Sequence, residues 1–275
     1  MNEKYKFSVL MAVYKNDNPE YLVQAIDSII NQTLLANEIV IVIDGPVPEC
    51  ISIILDDYNV RIDCLKLLWL PENIGLGSAL REGLKQCSFE LVARMDSDDI
   101  SLPNRFERQI ASFKKHPDVS LIGTNISEFI RDPNNIVSHR RVPSTDFEIK
   151  KYLKSRSPFN HMSVMFKKID VEKAGSYKHW YLNEDYYLWI RMTLIGCEFM
   201  NLNEVLVNMR IDEKTFLRRG GWGYFITQKK IFDYMLQNKM INIFEYTYNN
   251  FVRFVTRILL PNNMRSWLYR KLLRS

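Results

Sequence analysis

The stretch Ser88-Phe-Glu-Leu-Val-Ala-Arg-Met-Asp-Ser-Asp-Asp-Ile-Ser-Leu-Pro103 decides how this chain is read. Its first half is apolar, with Phe89, Leu91, Val92 and Ala93 in a run the length of one buried strand. The run stops at three carboxylates, Asp96, Asp98 and Asp99. Residues two apart on an extended chain project to the same side, so Asp96 and Asp98 can share one target. Acids held together without a cation between them raise each other's proton affinity. Hard oxygen ligands of this kind suit Mg2+ or Mn2+, which complete their shell with water and phosphate oxygens. The competing reading is a solvated acidic loop capping the next helix through Asp99 or Ser101, with Pro103 in its first turn.

Upstream the pattern is regular. Residues 7–13 (Phe-Ser-Val-Leu-Met-Ala-Val) form an apolar run that ends at a polar turn, Tyr14 to Pro19. Residues 20–31 place Leu22, Ala25, Ile26, Ile29 and Ile30 at helical spacing. A second apolar run, 38–43, ends in Asp44-Gly45; a helix over about 47–58 then leads to a third strand near 64–70. Strand and helix in alternation predict a parallel sheet with right-handed crossovers. Ligands in such sheets sit beyond the carboxyl ends of the strands, where Tyr14, Asp44 and Asp96 all fall. Asn73-Ile-Gly75-Leu-Gly77, with Arg81 one turn on, opens the next helix as either a plain turn or a phosphate contact. Its spacing fits neither a dinucleotide fingerprint nor a P-loop.

Downstream, residues 104–115 read as an amphipathic helix and 119–124 as a short strand. Residues 125–151 read as a hairpin or long loop, and 159–166 as a strand with His161 at its start. His161 is open to a structural or a functional role. Glu184 and Asp185 begin a helix, where they either favour its dipole or stand as a general base at a cleft rim.

Composition sets the bounds. The 275 residues, 47% hydrophobic and 25% charged, suit one large globular domain or a domain with an appendage. No apolar run approaches the roughly 18 residues of a spanning helix, and the N-terminus enters a strand without a secretory h-region. Four scattered cysteines without a C-x-x-C pair read as reduced thiols, and we expect a cytoplasmic protein. The net charge of +5 is unevenly spread: no acid follows Glu245, whereas Arg253, Arg257, Arg265, Arg270, Lys271 and Arg274 do.

Taken in order, Ser8-Val-Leu-Met-Ala-Val-Tyr14, Ile43-Asp44-Gly45, Asn73-x-Gly75-Leu-Gly77, Arg94-Met-Asp96-Ser-Asp98-Asp99 and Asn183-Glu184-Asp185 resemble family 2 glycosyltransferases. The resemblance spans about residues 6–215. It implies an α/β GT-A fold, a Rossmann-like, mostly parallel sheet flanked by helices, with a C-terminal helical appendage. The catalytic domain would cover 1–215, with a donor-binding half to about 124 and an acceptor-binding half from about 125; a basic amphipathic extension would fill 216–275. The implied activity is inverting, metal-dependent transfer of a hexose, glucose or galactose, from a UDP-sugar to a polyprenyl-diphosphate-linked sugar in O-antigen or capsule assembly.

The resemblance also assigns residues. Ala12, Val13 and Tyr14 would border the uracil, and Asp44 would accept from its N3–H. Asn73, Gly75 and Arg81 would frame ribose and diphosphate, together with Arg94, Asp96 and Ser97. Asp98, aided by Asp96, would hold Mn2+ or Mg2+. Asp185, or in second place Glu184, would be the base, and His161, Arg218, Arg219 and Trp222 would meet the acceptor or a diphosphate. The Q-x-x-R-W motif of processive synthases is missing, which favours a single transfer. A nucleotidyltransferase would need a Gly-rich basic signature after the first strand, and Tyr14-Lys-Asn-Asp-Asn-Pro19 does not supply it. Three acids at a strand end argue against nucleic acid there.

Residues 249–259 carry Phe251, Phe254, Val255, Ile258 and Leu259 at helical spacing, with Arg253 and Arg257 off that stripe. An apolar face beside a basic one predicts a helix lying on the inner face of the cytoplasmic membrane; the alternative is a stripe packed on the domain with solvated arginines. The third function class, a non-catalytic membrane-binding protein, would use this tail alone.

Overall fold

The computed structural model describes residues 5–212 and 220–260. Strands β1 (Phe7–Val13), β2 (Glu38–Ile43), β3 (Leu65–Trp69) and β4 (Leu91–Met95) are parallel neighbours in the order β3-β2-β1-β4. Each is linked to the next by a helix: α1 (Pro19–Ile30), α2 (Glu49–Arg61) and α3 (Leu76–Gln86). The apolar runs are unbroken because both faces are covered. Leu10, Val40 and Val42 face α3, whereas Val9, Met11, Ile39 and Ile41 face α1 and α2.

Beyond β4 the sheet becomes mixed. β5 (Ile100–Ser101), β6 (Leu121–Phe129), β7 (Ile136–Arg140), β8 (Met165–Lys167) and β9 (Phe199–Arg210) extend it, with β8 antiparallel to both β4 and β6. Helix α4 (Arg105–Lys115) covers one face through Phe106, Ile110 and Phe113. On the other face lie α5 (Asp146–Leu153) and α7 (Glu184–Leu194), with short α6 (Lys168–Lys173) between β8 and α7.

Several expectations change here. The 125–151 segment does contain a hairpin, β6 with β7, but it also holds α5, started by a Thr145–Glu148 capping box. The 159–166 strand shrinks to β8. His161 instead lies in a 3-10 turn, His161–Ser163, because Asn160 and Ser163 turn inward to bond Thr124. Strand β9, twelve residues long, has no clean alternation in sequence, and its pairing with β6 shifts register twice near Asn125.

The C-terminal helices Gly221–Gln237 and Ile243–Phe254 complete the core. Ile231, Phe232, Met235 and Ile241 join the same buried cluster as Leu188, Trp189 and Ile190 of α7. Arg253 and Arg257 do not form an outward basic face. Arg253 is buried, stacks on Phe232 at 4.3 Å and donates to the Ser155 and Asn249 carbonyls. Arg257 lies over Tyr224 and donates to Gln228. A truncation at Asn249 would therefore cut into the fold. No helix among the described residues is long and apolar enough to cross a membrane.

Candidate active site

The strand ends carry the predicted acids into one cluster. Oxygens of Asp96, Asp98 and Asp99 lie within 4.8 Å of one another just after β4. Asp98 points outward, Asp96 is half-buried, and Asp99 is buried and accepts the Arg210 backbone N–H at 2.8 Å. The Asp98 carboxyl stands closest to solvent of the three, yet is crowded by the neighbouring acids. Lost hydration, then Asp96 and Asp17, push its pKa up to about 7. Burial, then Asp98, raises Asp99 well above the usual carboxylate range.

Buried Arg94 forms an ion pair with Asp96, yet its Nε has no hydrogen-bond partner. Among the described residues, Asp96 is the one acid of the three that forms an ion pair with a guanidinium, which leaves Asp98 and Asp99 short of positive charge. Convergent hard oxygens with raised proton affinity are what a divalent cation would satisfy, so the residues present fit Mn2+ or Mg2+.

Neighbouring segments lock this loop, and four of their residues escape sequence reasoning. Asp17 accepts from the Tyr14 N–H at 3.1 Å and from Ser97 Oγ at 2.8 Å, which ties the turn after β1 to the acidic motif. Burial raises its pKa to about 6. Ser97 thus spends its hydroxyl proton on Asp17. Arg210, at the end of β9, donates Nε–H to the Asp98 carbonyl and stacks on Tyr21 at 3.7 Å. Arg105 is fully buried beneath the motif, where it donates to the Arg94 carbonyl at 2.7 Å and pairs with Gln109 one helical turn on. Burial, then Arg94, lowers its pKa to about 9. The i, i+4 spacing of Arg105 and Gln109 on an otherwise apolar face is the only hint in sequence.

On the donor side, Ala12 and Val13 end β1 and the exposed Tyr14 follows them. Asp44 accepts from the Ile74 and Gly75 N–H groups at 2.7 and 3.0 Å, while Asn73 Nδ2 donates to the Asp44 carbonyl. Asp44 and Asn73 therefore first serve to fold the 73–77 loop. Gly45 is required beside them: its φ is +85° and a Cβ would stand 2.5 Å from the Asn73 nitrogen. Gly77 is small for a different reason, since a Cβ there would meet the Lys178 carbonyl oxygen at 2.6 Å and Glu184 Cβ at 3.1 Å. Arg81 is partly exposed and paired with Glu82.

The loop packing brings Glu184 and Asp185, the first residues of α7, to the same cleft. Burial, then Asp185, raises Glu184 to about 7, and Arg94 and Asp96 also act on it. Ser157 Oγ donates to Asp185 at 3.4 Å. Beneath them, His161 Nε2 lies 3.0 Å from the Tyr177 hydroxyl; burial, then Arg94, holds this histidine neutral, well below its usual pKa. Arg94 thus sits among both acid groups and the His161–Tyr177 pair. Trp222 lies apart, exposed on the C-terminal helices against Phe225 and Phe254. Arg218 and Arg219 fall outside the described residues.

Comparison with known proteins gives the family and the fold. Residues 8–172 match the family described as glycosyl transferase family 2. The chain is 39% identical over 269 residues to an Escherichia coli protein named UDP-Gal:alpha-D-GlcNAc-diphosphoundecaprenol beta-1,3-galactosyltransferase, covering 98% of this chain and 97% of that one. It is 38% identical to the amylovoran biosynthesis glycosyltransferase AmsE of Erwinia amylovora, covering 96% and 98%. In fold it is similar to S. aureus TarS 1-349 in complex with UDP-GlcNAc, with a TM-score of 0.69 at 16% identity over 96% of this chain and 78% of that one. A Pyrobaculum calidifontis mannosyltransferase in complex with GDP-Man and Mn2+ superposes with a TM-score of 0.64 at 13% identity, covering 94% and 71%.

Proposed function

The chain belongs to glycosyltransferase family 2, and from that premise we propose that it adds a hexose from a UDP-sugar to a sugar on a polyprenyl diphosphate, in surface polysaccharide assembly. Galactose is favoured over glucose by the name of the E. coli relative, and the acceptor class rests on the same name. The observation that carries the reading is the underneutralised acid cluster of Asp96, Asp98 and Asp99 beside Glu184 and Asp185 in one cleft.

Tyr14 with Ala12 and Val13 borders the uracil face. Asp44 has both oxygens engaged by the loop, so the uracil N3–H shares a second lone pair on one of them. Asn73, Gly75 and Arg81 line the ribose and diphosphate side. Asp185 takes the acceptor hydroxyl proton as its oxygen attacks the anomeric carbon; the bond from that carbon to the UDP oxygen breaks, and UDP leaves with the electron pair. Attack opposite the leaving group inverts the centre. Glu184 sits beside Asp185 and sets its charge environment, while Arg94 pairs with Asp96 and fixes its place. Mn2+ or Mg2+ on Asp98 and Asp96 would neutralise charge on the departing diphosphate. His161, Trp222, Arg218 and Arg219 belong to the acceptor side in this reading. Residues to about 124 serve the donor and 125–215 the acceptor, on the inner face of the cytoplasmic membrane.

Incubation with labelled UDP-galactose, UDP-glucose, GDP-mannose and ADP-glucose, Mn2+ and a short-chain GlcNAc-diphosphate-lipid analogue tests this. A single inverted product from UDP-galactose is expected. Equal use of all four donors would contradict it.

A further inference from the structure

The helix Ile243–Phe254 is built inside out. Its inward side carries Asn249 and Arg253, which bond the carbonyls of Lys154 and Ser155 at the end of α5. Its outward side carries Phe244, Tyr248 and Phe251, exposed by 81%, 69% and 64%. These three recur at i, i+4 and i+7, one face of an α-helix. Leu259, also exposed, lies farther along the chain. A helix of a globular domain ordinarily turns that face inward.

The patch does not stop at one helix. Trp222 stands 6.1 Å from Phe254 and 5.8 Å from Phe225, so the helix Gly221–Gln237 continues the aromatic surface through Trp222 and exposed Ile226. That same helix receives the Trp180 indole N–H and the Asn183 amide at Thr227, immediately before Glu184. The surface therefore adjoins the segment that presents the proposed base.

We propose that this two-helix face, centred on Phe244, Tyr248 and Phe251, lies on an anionic phospholipid leaflet. The proposal rests on the lipid-linked acceptor argued above. Two observations select lipid over a protein partner. The residues are aromatic with polar tips at Trp222 and Tyr248, the composition that suits a membrane–water boundary. The sequence beyond Leu260 holds Arg265, Arg270, Lys271 and Arg274 and no acid, a run of positive charge that suits anionic lipid. Arg253 supplies none of this charge because it is buried, and Arg257 is half-buried against Tyr224 and Gln228.

The test is co-sedimentation of the full chain with vesicles of phosphatidylethanolamine and phosphatidylglycerol, against phosphatidylcholine alone. The parent should prefer the anionic vesicles, and added salt should weaken binding without abolishing it. The triple variant Phe244→Ser, Tyr248→Ser, Phe251→Ser should lose at least about tenfold in partitioning, since each change removes a large apolar contact. Its turnover of the short-chain soluble acceptor should stay within about twofold, which also reports an intact fold. Equal partitioning of parent and variant overturns the proposal. So does a parent that ignores vesicles but forms a dimer the triple variant cannot form, which would make a second copy the occupant. A parent that binds vesicles yet transfers no sugar would sink the proposed activity and leave this surface standing.

Discussion

The parallel sheet treats carboxylates in opposite ways at the start of β2 and beyond the end of β4. At the start of β2, Glu38 is buried but fully partnered: Ser8 Oγ and Lys66 Nζ each donate at 2.5 Å, and Ser88 donates its N–H and Oγ–H at 2.7 Å. Burial alone would raise its pKa; these donors overrule it and hold the group down at about 2. Beyond the carboxyl end of β4, lost hydration and then the like charges of Asp96 and Asp17 outweigh Arg94, and Asp98 rises to about 7. A fold that can satisfy a buried acid completely at one edge leaves several unsatisfied at the other. In the proposed reading, that edge receives a cation and a charged substrate.

The largest expected effect lies at the unsatisfied edge. Asp98→Ala should lose at least about 10³ in kcat/KM, because leaving-group stabilisation is worth several kcal/mol. Next, Asp185→Asn should cost about 10² to 10⁴ in kcat with little change in UDP binding, measured by steady-state kinetics and calorimetry. A larger loss for Glu184→Gln would exchange the two roles.

The satisfied edge should respond in stability alone. Glu38→Ala strands the donors of Ser8 and Ser88, costing about 1–3 kcal/mol in denaturant unfolding with kcat unchanged. A comparable loss in kcat would break the contrast between the two ends.

The smallest effect concerns pH. Asp98, Asp17 and Glu184 have folded pKa values of about 7, 6 and 7, above the 3.8 and 4.5 of free Asp and Glu. The folded state therefore binds protons that the unfolded chain does not. In EDTA, stability should rise as pH falls from about 8 to about 6. Glu38, depressed instead, stays ionised in both states across that window and contributes no slope. Thermal melts should show the trend, and Asp98→Asn should flatten it. A melting temperature that climbs with pH would reverse the assignment.

Much of this was legible in the residues. Strands β1, β2 and β4 read cleanly, since a strand covered on both faces is apolar throughout, and each ends in a polar break. Tyr14, Asp44 and Asp96 announced one edge because parallel strands deliver their carboxyl ends together, whereas Asn73 in its loop and Glu184-Asp185 at a helix start were tied to it by the resemblance. Strand β9 was hidden by its register shifts, and with it Arg210, which no local pattern ties to Asp98. Asp17 looked like a turn residue. The C-terminal stripe was visible, but its orientation was not: periodicity shows that a helix has two faces, and only packing shows that Arg253 belongs inside and Phe251 outside.

The most direct measurement is galactose transfer from UDP-galactose to the soluble GlcNAc-diphosphate-lipid analogue, with excess EDTA and then with Mn2+ restored. The account predicts at least about 10³-fold loss in EDTA and recovery on adding the ion, with the protein folded throughout by circular dichroism. Full activity in EDTA would contradict it.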